Sequence, residues 1–316
     1  MMYDGSMYTE IGWGVIGAGD VCERKSGPPL YLLEGSRLEA VYRRNHQAAE
    51  DFVKRHGHGR TAPSLQGLLA DEKIHAVYVA SPHHLHAEQT IAALEAGKHV
   101  LVEKPMALTV AECDRMVQAA TEAGRSLAVA YYRRGYPAIR RLQQLLSSGT
   151  IGTIRTVSIN SEFPTSHRID LVHFLFGPIA CTRRVAKKVA GGYRLEQTMP
   201  RIFLETHSAV TVQLTEQWVE TGAPESLFIT GDRGSIHLWD LKGGHLSIHR
   251  DETVTHESCG TLPWTHWGLM ENMIRHLTAG EPLLCDGPAG RASTVILERI
   301  DQCAQSGESD WATIDY

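Results

Sequence analysis

Between residues 8 and 132 the chain repeats one pattern, a short apolar run followed by a stretch able to form a helix. The runs are Gly12 to Ile16 (GWGVI), Leu38 to Tyr42 (LEAVY), Ala76 to Ala80 (AVYVA), His99 to Val102 (HVLV) and Ser126 to Ala130 (SLAVA). Strands this apolar need cover on both faces, and helices between them supply it while returning the chain to the same sheet edge. The pattern therefore predicts a parallel, doubly wound α/β sheet. Its helices are marked in the sequence. Gln47 to His56 sets Ala48, Ala49, Phe52 and Val53 on one face, His86 to Ala96 stops at Gly97, and Val110 to Glu122 stops at Gly124.

The second half obeys a different period. After a helix predicted over Pro137 to Ser147, Ile154 to Ile159, Ala209 to Leu214, Glu225 to Thr230 and Ser235 to Trp239 alternate with period two. Gly231-Asp232-Arg233-Gly234 reads as a hairpin turn between two of them. Helices are predicted over His266 to Thr278 and Arg291 to Gln305. Strands close together without intervening helices imply a C-terminal α+β domain with a mostly antiparallel open sheet. A length of 316 residues suits two domains, expected at 1–132 and 133–316.

Charge and composition narrow the partners. Lys and Arg number 31 against 36 Asp and Glu, without a basic block, which argues against a nucleic-acid partner. No apolar run approaches the ~20 residues that span a bilayer, so no membrane partner is expected. The start of the chain lacks a basic-then-apolar leader pattern, and none of the six cysteines forms a CxxC pair. Reduced thiols and a cytoplasmic location are the expectation. His83, His84 and His86 invite a metal reading. No second group with ligand spacing accompanies them, so no metal is expected and the segment reads as a strand-to-helix loop.

Three motifs carry chemistry. Gly17-Ala18-Gly19-Asp20-Val21-Cys22 follows the first strand and opens a helix, as a loop holding a pyrophosphate against a helix N-terminus does. Cys22 takes the place of the usual third glycine, where a small side chain still permits close packing. A carboxylate that would accept from a ribose 2′-hydroxyl is missing after the second strand, where Arg43 and Arg44 stand instead. Paired guanidinium groups suit a 2′-phosphate, so NADP(H) is expected over NAD(H). Glu103-Lys104-Pro105 follows HVLV at the ligand-facing strand ends, where a lysine can hydrogen-bond a substrate oxygen as charge develops on it. Glu103 would orient Lys104. Tyr132 and Arg133 follow SLAVA at the same edge and suit a hydroxylated ring, an interdomain structural role for one arginine being the other reading. Trp264, His266 and Trp267 either line the substrate side or cap a late helix, core packing being the favoured reading.

In their order along the chain these motifs resemble the Gfo/Idh/MocA oxidoreductase family (glucose–fructose oxidoreductase, inositol dehydrogenase). The matching segments are GAGDVC, SPHHLHAE after AVYVA, AGKHVLVEKPMALT, AVAYYRRGYP ahead of a helix ending SSGTIG, and SHRIDLVHFLFG. KSGPPL and VYRRN are similar to a branch that includes NADP-linked relatives acting on sugars and dihydrodiols. The resemblance implies a Rossmann domain joined to the α+β domain, hydride exchange with a nicotinamide, and a homodimer or homotetramer formed through the C-terminal sheet. It also places Gly17, Gly19, Asp20 and Val21, then Ser81, Pro82 and His86, then Glu103 and Lys104 along the cofactor.

The family's D-x-G-x-H-x-x-D segment makes its His the acid/base. Here His167 matches that His and Asp170 the last Asp, while the first Asp falls on Phe163 and the Gly on Thr165. A histidine without its carboxylate has less support for its imidazolium form. Glu162 is adjacent, but strand alternation points it the other way. The expected function is an NADP(H)-dependent oxidoreductase interconverting a secondary alcohol and a carbonyl on a sugar, polyol or related cyclic compound. Lys104 would polarise the oxygen and His167, with Asp170, would exchange the proton. The alternatives are a dinucleotide-binding sensor without turnover and a redox-assisted glycoside-cleaving enzyme.

Overall fold

The structure, a computed structural model, describes residues 8–160, 165–185, 201–215, 225–306 and 311–316. The chain divides into two compact units, Met1–Gly135 with Pro263–Thr294, and Tyr136–Leu262 with Val295–Tyr316.

The first unit is built from β1 (Ile11–Ile16), α1 (Pro29–Leu32), β2 (Ser36–Tyr42), α2 (His46–His56), β3 (Arg60–Thr61), α3 (Leu65–Leu69), β4 (Ala76–Val79), α4 (His86–Glu95), β5 (His99–Val102), α5 (Val110–Ala123) and β6 (Leu127–Val129). Among the described residues these six strands form one parallel sheet in the order β3-β2-β1-β4-β5-β6. The order reverses between β1 and β4, the switch point at whose carboxyl end such sheets bind ligands. Every residue of β1, β4 and β5 is buried, as the unbroken apolar runs require. Helix ends follow their local chemistry. The Asn45 side chain accepts from the Ala48 N–H at the start of α2, and Thr109 and Glu112 cap α5 reciprocally. The segment after the glycine turn departs from a plain helix, since Cys22–Ser26 is a π-helical turn closed by a Gly27 N–H···O=C Cys22 bond of 2.8 Å.

The expected domains are 1–132 and 133–316; the first unit here runs to Gly135 and also takes in Pro263–Thr294. The reason is a sheet edge. Among the described residues β6 has no strand on its outer side, and there the Val129 N–H donates to the Cys285 carbonyl at 3.0 Å while Ala128 bridges Asp286. Arg134 reaches the Leu284 carbonyl at 2.7 Å, and His276 Nε2 lies 2.8 Å from the Ser126 hydroxyl. This segment contributes α8 (Trp267–Ala279) and the first turns of α9 (Gly287–Ser306). At its start two backbones touch: a Cβ on Gly268 would lie 2.4 Å from the Gly135 carbonyl oxygen.

The second unit contains α6 (Pro137–Ser147), β7 (Ile154–Asn160), α7 (Thr165–Phe176), β8 (Ile179–Val185), β9 (Arg201–Thr206), β10 (Thr211–Thr215), β11 (Ser226–Gly231), β12 (Gly234–Asp240), β13 (His245–Arg250), β14 (Thr253–Ser258) and β15 (Ala312–Thr313). Among the described residues they make one sheet, β14-β13-β12-β11-β7-β10-β9-β8-β15, antiparallel except where β10 joins β7. Asp232 and Arg233 form the turn of the β11–β12 hairpin, as the Gly-Asp-Arg-Gly spacing predicts. Alternation sends one set of apolar side chains inward: Val157, Ile159, Leu227, Ile229, Ile236 and Leu238 are buried. On the other face Phe228, His237 and Trp239 pack ring to ring, with Trp239 exposed.

Candidate active site

The glycine turn at the end of β1 is set by backbone geometry. Gly17 adopts φ +91°, and a Cβ there would stand 2.6 Å from Ser81 Cα. Only glycine allows both the turn and the close approach to the chain leaving β4. Gly19 is less constrained, since the nearest atom to an added Cβ is 3.4 Å away. Cys22 is fully buried, and burial pushes its thiol up to about 12, so it packs and does not react. Asp20 ion-pairs with Arg24 one turn on, and Val21 is half-buried.

Ser81 and Pro82 follow β4. The Ser81 hydroxyl is buried and has no partner, an arrangement that leaves it able to bond a ligand in the glycine turn. His86 does something else. Its Nδ1 lies 2.9 Å from the Pro105 carbonyl and its Nε2 2.9 Å from the Ser81 carbonyl, so the fully buried ring ties two loops together. Each ring nitrogen thus faces a backbone carbonyl.

The arginines after β2 stand apart from the others nearby. Arg24, Arg37, Arg55, Arg60 and Arg115 each pair with a carboxylate. Among the described residues Arg43 and Arg44 pair with none. Asn45 beside them spends its side chain on capping α2. A buried hydroxyl without a partner and a glycine cradle at a helix start fit a dinucleotide.

Glu103-Lys104-Pro105 leaves β5 through a cis Lys104–Pro105 bond. Glu103 is buried and its carboxylate is the hub of a network. Oε1 accepts from the Tyr78 hydroxyl at 2.6 Å and from His266 Nε2 at 2.8 Å, and Oε2 accepts from the Lys104 N–H at 3.2 Å. The Tyr78 hydroxyl also lies 2.9 Å from that of Ser26. Burial pushes the Glu103 carboxyl up, but His266, Tyr78 and Lys104 outweigh it and hold it below the ordinary carboxylate range. Burial and the Glu103 charge keep Tyr78 a phenol well above its usual range. Burial lowers the Lys104 amine, Glu103 opposes this, and Lys25 and Arg133 add to it.

His266 precedes α8 and is 1% exposed, its Nδ1 3.1 Å from the Thr265 hydroxyl and its ring 4.6 Å from that of Tyr132. Tyr132 and Arg133 are buried too, with the guanidinium 5.7 Å from the Tyr132 ring. Tyr78 and His266 were not legible as parts of one site. The available signal was a hydroxyl inside an otherwise apolar strand and a histidine in a segment whose spacing reads as packing.

In the second unit His167 and Asp170 lie one turn apart near the start of α7, both buried, with the buried Arg168 between them. Phe163 and Glu162 lie outside the described residues, and Thr165 is the first residue of α7.

Residues 11–131 match the model of an oxidoreductase family with an NAD-binding Rossmann fold, GFO_IDH_MocA. This stretch is similar to the nucleotide-binding part of the Gfo/Idh/MocA family. Its sequence is similar to Oxidoreductase P35 of Formosa agariphila, 39% identical over 153 residues, 48% of each chain. It is also similar to the D-xylose 1-dehydrogenase (NADP(+)) of Hypocrea jecorina, 32% identical over 191 residues, 53% of this chain and 49% of that one. The chain thus spans about half the length of the curated relatives it matches. Its fold is similar over the whole of both chains to that of the WlbA dehydrogenase from Bordetella pertussis in complex with NADH and UDP-GlcNAcA, with a TM-score of 0.81 at 21% identity. No helix among the described residues is long and apolar enough to cross a membrane.

Proposed function

We propose that the protein is an NADP(H)-dependent oxidoreductase that interconverts a secondary alcohol and a carbonyl on a sugar, polyol or related cyclic compound. The observation that carries this reading is Lys104, a partly buried amine at the carboxyl end of β5, in the same sheet edge as a glycine turn that only glycine can make. A sugar as substrate is supported by the similarity to a D-xylose dehydrogenase. NADP(H) over NAD(H) is supported by Arg43 and Arg44, which among the described residues have no carboxylate partner.

In this reading the Gly17–Gly19 backbone and the Ser81 hydroxyl hold the pyrophosphate side of the dinucleotide, and Arg43 with Arg44 grips the 2′-phosphate. The bound nicotinamide supplies the hydride chemistry. Lys104 donates to the reacting oxygen and stabilises negative charge developing there. His167 takes or returns the alcohol proton, with Asp170 one turn on supporting its charge. The outer face of the second unit's sheet, with Trp239 exposed on it, serves homodimer or homotetramer formation. The six free cysteines support the cytoplasm as the compartment.

Nucleotide-fluorescence titrations with NADPH and NADH, followed by NADPH consumption against a panel of aldoses, ketoses and inosose-type carbonyls, test the reading. NADPH should bind more tightly than NADH, and Arg43→Ala with Arg44→Ala should remove the preference. Lys104→Ala should lower turnover by about 10²–10³. Equal binding of both dinucleotides would refute the cofactor assignment. Tight binding without turnover on any carbonyl would favour a sensor, and turnover without net NADPH loss a glycoside-cleaving enzyme.

A further inference from the structure

Glu103 cannot hold a charge in its position without help. It is 7% exposed, and a carboxylate removed from water in this way takes up a proton unless donors reach it. Two side-chain donors do, and both bond the same oxygen: Tyr78 from the neighbouring strand β4 and His266 from a segment 163 residues further along the chain. The carboxylate has only lone pairs to offer, so Nε2 of His266 is the protonated nitrogen. The imidazole is itself fixed, by Thr265 at Nδ1 and by Tyr132 against its face. The other carboxylate oxygen takes the backbone N–H of Lys104.

We propose that His266 is a positioning residue for Lys104: by donating to Glu103 it keeps that carboxylate anionic and bonded to the Lys104 backbone, and so holds the lysine as an ammonium in one loop conformation. The proposal rests on the function assigned to Lys104 above for its significance, but not for its test.

The charges around the two groups decide what losing the imidazole does. Glu103 faces Tyr78 on β4, Cys22 on the turn after the glycines, Lys104 and His266. Lys104 faces Glu103, Lys25 from that same turn, Arg133 after β6, and His83 from the loop after β4. Among the groups that act on Lys104, Glu103 is the one that favours its charged form, while Lys25 and Arg133 oppose it. Without the imidazole, burial wins at Glu103, the carboxyl is protonated, and Lys104 is left facing two cations. Its amine then loses its proton at lower pH than in the wild type.

Trace acetylation with acetic anhydride across pH 6 to 10, with Lys104 and Lys98 peptides quantified by mass spectrometry, reads this directly and needs neither cofactor nor substrate. In His266→Ala the labelling of Lys104 at pH 8 should rise at least threefold and its pH midpoint should move down. Glu103→Gln should produce the same shift, and the double variant no more than either. His266→Gln keeps an N–H donor of similar reach and should restore more than half of the wild-type behaviour. Lys98, whose amine donates to the Asp71 carbonyl at 2.8 Å, reports loosening of the unit and should not change. A Lys104 midpoint unmoved in both His266 variants while Glu103→Gln shifts it would overturn the proposal. So would a rise at Lys104 matched by an equal rise at Lys98, which marks general loosening. Neither outcome depends on whether the protein turns over a sugar.

Discussion

His99 should make the protein acid-sensitive in a window that one substitution abolishes. It opens β5 at the end of the sheet away from the candidate site, is 4% exposed, and its Nδ1 accepts from the Ser126 N–H at 3.0 Å. Burial, reinforced by Arg125, His276 and His75, pulls its pKa from 6.5 down to about 3. In the fold the imidazole therefore stays neutral while the unfolded chain binds a proton below pH 6.5. A depressed folded value means that the stability is present above 6.5 and is lost as pH falls towards 3. The slope is about 1.4 kcal/mol per pH unit, so going from pH 7 to pH 5 should cost about 2 kcal/mol through this residue. In His99→Asn the amide oxygen stands where Nδ1 stood and still accepts from Ser126, but nothing titrates. Urea unfolding followed by tryptophan fluorescence at pH 7 and pH 5 should show the wild type losing about 2 kcal/mol more than the variant over that interval. A difference below about 0.5 kcal/mol would refute the reasoning, because it would mean that the folded imidazole already takes up a proton well above pH 5.

Two further substitutions probe the local chemistry. Gly17→Val should abolish dinucleotide binding in a nucleotide-fluorescence titration and lower the melting temperature, since the new side chain meets the Ser81 backbone in a conformation with φ +91°. Thr109→Ala removes one half of a reciprocal cap on α5 and should cost about 1 kcal/mol in urea unfolding without altering that titration.

The parallel sheet was legible because its strands are buried on both faces, and a run such as AVYVA admits few other structures. The helix stops at Gly97 and Gly124 and the 231–234 turn were legible because their residues act on neighbours a few positions away. β3 was not, being two residues long and held by pairing with β2 alone. β14 was not, because an exposed edge strand such as TVTHES has no apolar alternation to read. The return of Pro263–Thr294 to the first unit was hidden for another reason: the signal lies in the unpaired edge of β6, which becomes an edge only once the sheet exists. The site divides in the same way. Gly17, Ser81, Glu103 and Lys104 declare themselves by following strands, whereas His266 acquires meaning only from a carboxylate it meets in space. Its sequence neighbourhood, Trp264 ahead of an amphipathic helix and Trp267 opening it, describes packing equally well.

The late segment laid along β6 bears on how this chain can be cut and recombined. A recombinant fragment stopping at residue 132 would carry every glycine of the nucleotide turn, yet it would expose the Val129 amide and lack the imidazole bonded to Glu103. Such a fragment offers a sticky margin for intermolecular strand pairing. Chimeras that exchange cofactor halves between relatives should therefore transplant both stretches of sequence together, since neither is a module by itself.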